Sequence, residues 1–339
     1  MNAVLVVNAG STSLRLHRVA DDDTTEPIAA MADVRADQVM AIVHRVVHGG
    51  ATFRDPVVID ARVRAAIFAL EFVDAIHNAP ALRAIEQTRQ LLPGIPEVAV
   101  FDTGFHATMP AEAYTYALPP RWREDWGVRR FGFHGLSIAW CAERVPVPRL
   151  IVCHLGGGCS VTAVADGRSV DTSMGFSPLD GIPMATRSGA VDPQAIIFAL
   201  RSSRITLDAL EHDLNFASGL LGLGGSADMR EIEAQDGLAL DVFVHRLAAA
   251  IAAMTASLGG LDALVFTAGI GEGSATVRER VCARLRYLGI ALDADHNRAA
   301  VPDARIDGPA SSVEVHVIHT REELVAAREA RRLLADRHA

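Results

Sequence analysis

The chain has 339 residues, half of them hydrophobic, and a formal net charge of −9. That length favours about two domains, each able to bury a core, and the acidic balance excludes a broad nucleic-acid surface. All 32 basic residues are arginine, which excludes a Walker-type phosphate loop and Schiff-base chemistry on a lysine amine.

In chain order, Ala3–Val7 is an apolar run that breaks at Asn8-Ala9-Gly10-Ser11-Thr12-Ser13 and resumes as Leu14-Arg15-Leu16. This predicts a strand, a tight turn of small residues and a second strand. The first run is only a strand long and no basic region precedes it, so no signal segment is expected. Asp21–Pro27 reads as a solvated turn. Ala41–Val47 is strand-like and closes on His48-Gly49-Gly50. Ala61–Leu92 has helical periodicity, with an expected interruption near His77-Asn78-Ala79-Pro80 and an end at Pro93-Gly94. A short strand, Val98–Phe101, leads into Asp102-Thr103-Gly104. The proline- and aromatic-rich stretch Met109–Trp126 is expected to connect two lobes, and a helix to run from about Leu136 to Arg144.

Leu150–Cys153 then breaks at His154-Leu155-Gly156-Gly157-Gly158 and resumes as Ser160-Val161-Thr162-Ala163-Val164, repeating the first device half a chain later. Glycines and hydroxyls in such turns let backbone N–H groups approach an anion closely. Two copies imply a duplicated lobe with a phosphate chain held between, and hence phosphoryl transfer. Ser169–Pro193 is dense in Gly, Pro, Ser and Thr and is expected to be a long structured loop, a kind that is usually functional. Arg187 within it either approaches a phosphate bidentately or braces the loop by a salt bridge. Asp192-Pro193 opens a helix. The apolar stretch Leu247–Leu258 is shorter than a membrane span and belongs to a buried helix from roughly Leu240, ended by Gly259-Gly260. Strand Ala263–Thr267 enters the turn Ala268–Ser274, and a helix follows with Val277, Val281, Leu285 and Leu288 on one face and Gly289 at its end. Strand, glycine-rich turn and helix make a nucleotide-binding geometry in outline, although Gly269-x-Gly271-x-Gly273 lacks the dinucleotide spacing. Strand Val313–Ile318 and a charged helix from about Glu322 complete the chain. The alternation argues an α/β fold with parallel sheet content. Cys141, Cys153, Cys159 and Cys282 form no CxxC pair and read as core residues of a reduced, cytoplasmic protein.

Nearly end to end, the chain resembles the acetate kinase family of the sugar kinase/Hsp70/actin superfamily. The resemblance rests on VVNAGSTSLRL (Val6–Leu16), HRVVHGG (His44–Gly50), HNAP (His77–Pro80), FDTGFHATMP (Phe101–Pro110), FGFHG (Phe131–Gly135), CHLGGGCSV (Cys153–Val161), SGLLGLGGSADMREI (Ser218–Ile232), FTAGIGEGSA (Phe266–Ala275) and HTREEL (His319–Leu324). It implies two duplicated actin-like ATPase (ribonuclease H-like) lobes, residues 1–103 plus 324–339 and residues 104–323, with a nucleotide cleft between them. It implies reversible transfer of the γ-phosphoryl of ATP to acetate, or alternatively to propionate or another short carboxylate, with Mg2+ or Mn2+. It implies a homodimer acting on small molecules, without nucleic-acid or membrane partners.

By the same resemblance, Arg45 and Arg187 flank the transferring group, His134 contacts its equatorial oxygens and His77 is a further site histidine. Asp102 is the family's catalytic acid/base. Acetate is already ionised at neutral pH, so we expect Asp102 to orient Arg45 or a magnesium-bound water instead. Asn8 and Glu322 correspond to the metal ligands. Val47, Ile76, Phe133 and Pro178 correspond to the pocket for the acyl methyl. Arg15, His154, Leu155, Gly156, Gly157, Gly158, Asp228, Met229, Arg230, Gly269, Ile270, Gly271, Glu272 and Gly273 correspond to the nucleotide contacts. The chain departs from the family pattern at Gly157 and Gly273, both usually asparagine, at Arg15, usually lysine, at Ala185, usually glycine, and at Ile138 and Arg321. The stretch before HRVVHGG is also shorter than expected.

Overall fold

A computed structural model describes residues 3–10 and 14–337; the side chains of residues 71–77 lie outside the description, and so do the expected site positions Ile76 and His77 and the turn residues Ser11, Thr12 and Ser13. The chain divides into two compact units, one made of Met1–Ala107, Phe133–Trp140 and Arg321–Ala339, the other of Thr108–Gly132 and Cys141–Thr320.

The first unit is built on a six-stranded mixed sheet. Its strands are β1 (Ala3–Ala9), β2 (Leu14–Val19), β3 (Thr25–Ile28), β4 (Val39–Val46), β5 (Val57–Val58) and β6 (Glu97–Phe101), in the order β3-β2-β1-β4-β6-β5. β1, β4 and β6 run parallel and are nearly continuous apolar runs, as strands covered on both faces must be. One core cluster joins Leu5, Val7, Leu16 and Ile42 to Ala84 and Leu92. A second joins Val46, Phe53, Ala99 and Phe101 to Ile67, Ala81 and Ile85. The helix Glu322–Asp336 buries Leu324, Ala327, Ala330 and Leu334, and packs against β1 and β4.

The second unit has its own six-stranded sheet of β7 (Arg149–Leu155), β8 (Cys159–Ala165), β9 (Arg168–Thr172), β10 (Ala263–Thr267), β11 (Ala304–Arg305) and β12 (Glu314–Ile318), in the order β11-β12-β10-β7-β8-β9. Read from the other edge this repeats the first sheet strand for strand. An antiparallel meander comes first, then two parallel strands, then a two-residue antiparallel edge. The helix Leu238–Leu258 is long and apolar enough to cross a membrane by length and composition. Its face of Phe243, Val244, Leu247 and Ile251 is buried instead, and the helix packs on β8 and β9.

The structure corrects several expected elements. The interruption in Ala61–Leu92 falls at Leu70, between helices Ala61–Ala69 and Glu71–Leu91, and Pro80 lies inside the second helix. A proline there forfeits one backbone bond; the buried row Ala81, Ala84, Ile85 and Thr88 keeps that helix on the sheet. Part of the expected solvated turn at Asp21–Pro27 is β3, an edge strand, where Pro27 is tolerated. β9 takes up the start of the expected loop from Ser169. Ala268–Gly273 is not an open turn but a short helix, and the helix after it, Ala275–Arg284, ends before Leu288, which sits in a separate 3-10 turn.

Candidate active site

Asn8 and Arg45 are direct partners across the parallel β1–β4 ladder, so their side chains lie side by side on one face. Asp102 follows β6 and is fully buried. Its two oxygens accept from Arg45 Nε at 2.8 Å and Nη2 at 2.5 Å. Arg45 Nη1 donates to Asn8 Oδ1 at 3.0 Å, Asn8 Nδ2 donates to Glu322 Oε2 at 3.4 Å, and Arg45 Nε lies 3.8 Å from that same carboxylate oxygen. Burial disfavours the Arg45 cation, but the charges of Asp102 and Glu322 outweigh it and hold the guanidinium more firmly protonated than usual. Arg45 keeps 16% of its side-chain surface and Asp102 only 1%. The carboxylate is thus a backing group, and the guanidinium is the member of the pair with an open edge.

The segment carrying Phe133 and His134 is tied to the same place. Gly135 N–H donates to the Asp102 carbonyl at 2.9 Å. A side chain at Gly135 would put its Cβ 2.2 Å from that oxygen, so only glycine fits. His134 has φ 61° and is nearly buried. His106 Nε2 donates to the Phe133 carbonyl at 2.9 Å; burial holds the imidazole down to about 4, so it is the neutral ring that makes this bond. Val47 and Phe133 are both buried, and Phe133 packs edge-on against His48 with ring centroids 5.4 Å apart. Arg15 is exposed on β2, opposite Asn8 in the antiparallel ladder.

In the second unit Arg187 Nη1 donates to the Pro178 carbonyl at 2.9 Å. The loop holding Arg187 is laced to Ser218–Leu221: Ser218 N–H donates to Thr186 O, Leu220 N–H to Met184 O and Leu221 N–H to Ala185 O, all within 3.0 Å. Gly219 makes this possible, with φ 59° and a Cβ position only 2.1 Å from Met184 O and 2.7 Å from Arg187 O. The motif containing Ser218–Leu221 was visible in the sequence, but its role as the cradle of the Arg187 loop was not.

A cavity of about 560 Å³ lies at the C-terminal ends of β7 and β10, which are adjacent and parallel. The structure brings Gly156, Gly157, Asp228, Met229, Arg230, Gly269, Ile270 and Gly273 to its walls, with Ala185, Ala227, Glu233 and Ser274 beside them. An added Cβ at Gly157, Gly269 or Gly273 would meet nothing within 4 Å, so the wall is open there. Asp228 is the cap of helix Met229–Gln235, accepting from Arg230 N–H, and its pairing with the Arg230 side chain holds its carboxyl down to about 2. Leu155 is wholly buried, His154 and Gly271 nearly so. Gly158 closes the hairpin by accepting from Gly156 N–H at 2.9 Å.

Two side chains brace the helix Ala268–Gly273 from its own unit. Arg278, 2% exposed, donates to the carbonyls of Gly271 and Glu272 at 2.9 and 2.8 Å, and to Asn297 Oδ1 at 2.8 Å. Glu272 accepts with both oxygens from neighbouring protein groups. Arg278 carried no signal of its own in the sequence.

The model of the Acetokinase family matches residues 27–328. An acetate kinase from Protochlamydia amoebophila is 48% identical over 297 residues, spanning 84% of this chain and 75% of that protein. Among solved structures, a propionate kinase from Francisella tularensis superposes with a TM-score of 0.91 at 34% identity, covering 97% of this chain and 99% of the other. An acetate kinase from Porphyromonas gingivalis gives a TM-score of 0.84 at 31% identity, covering 98% and 100%. With the same α/β architecture of two duplicated actin-like lobes, this chain belongs to the acetate kinase family.

Proposed function

We propose that this chain transfers the γ-phosphoryl group of ATP reversibly to acetate, giving acetyl phosphate and ADP. The observation that carries the reading is the Asn8–Arg45–Asp102–Glu322 cluster, in a chain of this family. Acetate is an anion at neutral pH and needs no general base. The barrier is the approach of one anion to another, so positive charge and alignment dominate. Arg45, fixed by Asp102, supplies that charge from the first unit. By the family resemblance Arg187, held on its laced loop, is a second cation of the reaction and His134 a further donor. The cavity beside Gly156 and Gly269 receives the nucleotide.

Asn8 Oδ1 and the Glu322 carboxylate would hold Mg2+. Hard oxygen donors suit that ion. Among the described residues no group of three His, Cys, Asp or Glu side chains could cage a metal. This fits a cation that keeps water and substrate phosphate as its other ligands. When bound, the ion neutralises phosphate charge; the protein's own part is to hold Asn8 and Glu322 together beside Arg45, with Asn8 Nδ2 donating to Glu322 Oε2 at 3.4 Å.

In this reading Val47 and Phe133, both buried, belong to the acyl pocket. Propionate is the second reading, because a solved propionate kinase superposes so closely and one methylene is worth only about 1–3 kcal/mol. The exposed helix Pro193–Arg201, which buries none of its residues and presents Ile197 and Phe198, supports a homodimer. Four free, buried cysteines support a reducing, cytoplasmic setting.

A coupled assay with acetate, ATP and magnesium tests the proposal. Turnover is expected, with a loss of about 10³-fold or more in Arg45→Ala and in Arg187→Ala. Full activity in both variants would refute the mechanism.

A further inference from the structure

Glu272 sits inside the glycine-rich stretch that leads from β10 to the nucleotide cavity, yet its carboxylate is used by the protein itself. Oε1 accepts from Ala268 N–H and from Thr320 N–H, each at 3.0 Å, and Oε2 meets His319 Nδ1 at 2.6 Å. Three of a carboxylate's roughly four acceptor sites are therefore filled. A carboxylate facing a polyphosphate would also repel it.

What these contacts join is informative. Ala268 holds φ 65°, a region that residues with a side chain rarely adopt, and the carboxylate holds its N–H. His319 is anchored in turn by its own N–H, which donates to Asp303 Oδ1 at 2.8 Å. Thr320 is the last residue of the second unit; Arg321 follows as the N-cap of the helix that begins with Glu322. One side chain thus fastens the start of the nucleotide helix to the strand exit that runs into Glu322.

We propose that Glu272 is a positioning residue: it reads no nucleotide, but ties helix Ala268–Gly273 to His319–Thr320, so that phosphoryl transfer rather than nucleotide affinity depends on it. The proposal rests on the phosphotransfer reading above. Cutting the tie removes no side chain that lines the cavity, but lets two backbone segments drift, Ala268 at the start of the helix and Thr320 before Glu322. Misplacement on the order of 1 Å at a reacting centre is enough for a large loss of rate.

The test compares the full-length wild type with Glu272→Ala, Glu272→Gln and His319→Ala. The readouts are calorimetric ADP binding, steady-state phosphotransfer to acetate, and amide hydrogen exchange at Ala268 and Thr320. For Glu272→Ala we expect exchange at both amides to accelerate at least about tenfold, as loss of a charge-assisted bond implies. The kcat should fall at least about tenfold and the Kd for ADP should stay within about threefold. Glu272→Gln keeps one acceptor oxygen and should recover part of the rate. His319→Ala, which leaves the helix contact untouched, should lower kcat alone. A tenfold rise in Kd with kcat intact would overturn the proposal, since a direct nucleotide contact predicts that result. Unchanged exchange at Thr320 in Glu272→Ala, or in Glu272→Gln should the alanine variant fail to fold, would overturn it as well. If the wild type transferred no phosphoryl group to acetate, the functional reading would fail, and hydrogen exchange would still decide the tie.

Discussion

Asp102→Asn tests how much of the rate depends on the carboxylate that orients Arg45. The substitution keeps the size of the side chain and removes its charge. In the native protein both oxygens are engaged, by Arg45 Nε at 2.8 Å and Nη2 at 2.5 Å. An amide offers one acceptor and turns its NH2 toward a guanidinium that can only donate. One bond is lost and a donor–donor contact replaces it. Breaking a buried ion pair costs about 3–5 kcal/mol. Arg45 keeps Asn8 Oδ1 at 3.0 Å and the Glu322 carboxylate at 3.8 Å, so the lower end, about 3 kcal/mol, is expected. If that cost appears in the transition state, where Arg45 is needed most, kcat falls about 10²-fold, at roughly 1.4 kcal/mol per factor of ten. The KM for acetate should change little. The assay is steady-state turnover with urea denaturation of the same sample, so that loss of rate and loss of fold are read apart. A folded Asp102→Asn enzyme with kcat within twofold of wild type would refute the reasoning.

The Gly219→Ala variant strains φ 59° and drives a carbon against Met184 O and Arg187 O; we expect about 2–4 kcal/mol lost in urea denaturation and a kcat lower by about 10²-fold. Gly157→Ala, whose added carbon meets nothing within 4 Å, should leave the denaturation midpoint unchanged. Acid should destabilise the protein through His106. Its folded value is about 4 because burial outweighs the favourable Phe133 carbonyl and Asp102, against about 6.5 unfolded. Between those values the unfolded chain binds more protons, so stability is lost as pH falls, by up to about 1.4 kcal/mol per unit. His44, also held low by burial, acts in the same direction. The midpoint in urea should drop from pH 7 to pH 5 and drop less in His106→Gln; a flat or rising midpoint in the wild type would contradict this.

What the sequence makes legible is local. Both hairpins announce themselves because an apolar run, small residues and a second alternating run lie within about fifteen positions. The Asp192-Pro193 helix start is similar: Asp192 caps by accepting from Gln194 N–H at 2.7 Å. What escapes depends on distant partners. The pairing of Asp102, just after β6, with Arg45, 57 residues away on neighbouring β4, is expected only through the family resemblance, since no periodicity encodes it. Pro80 invites a break that tertiary packing overrides. Glycines disguise the helix Ala268–Gly273, which Arg278 holds from outside it and whose own Glu272 ties it to Thr320. Two-residue strands such as β5 and β11 are too short to leave a pattern.

The matching ladders let the halves be aligned by hydrogen-bond register. Asn8, opposite Arg45 and one rung from the hairpin end, has His154 as its counterpart; Arg45 is answered by Thr267, and Val100, beside Arg45, by Ile318. Two residues further on, Asp102 is therefore answered by Thr320. Where one half carries a cation and a carboxylate, the other carries two threonines. A single ladder plan has been furnished twice, once as an ionic post and once as a neutral shelf, by side chains exchanged at equivalent rungs.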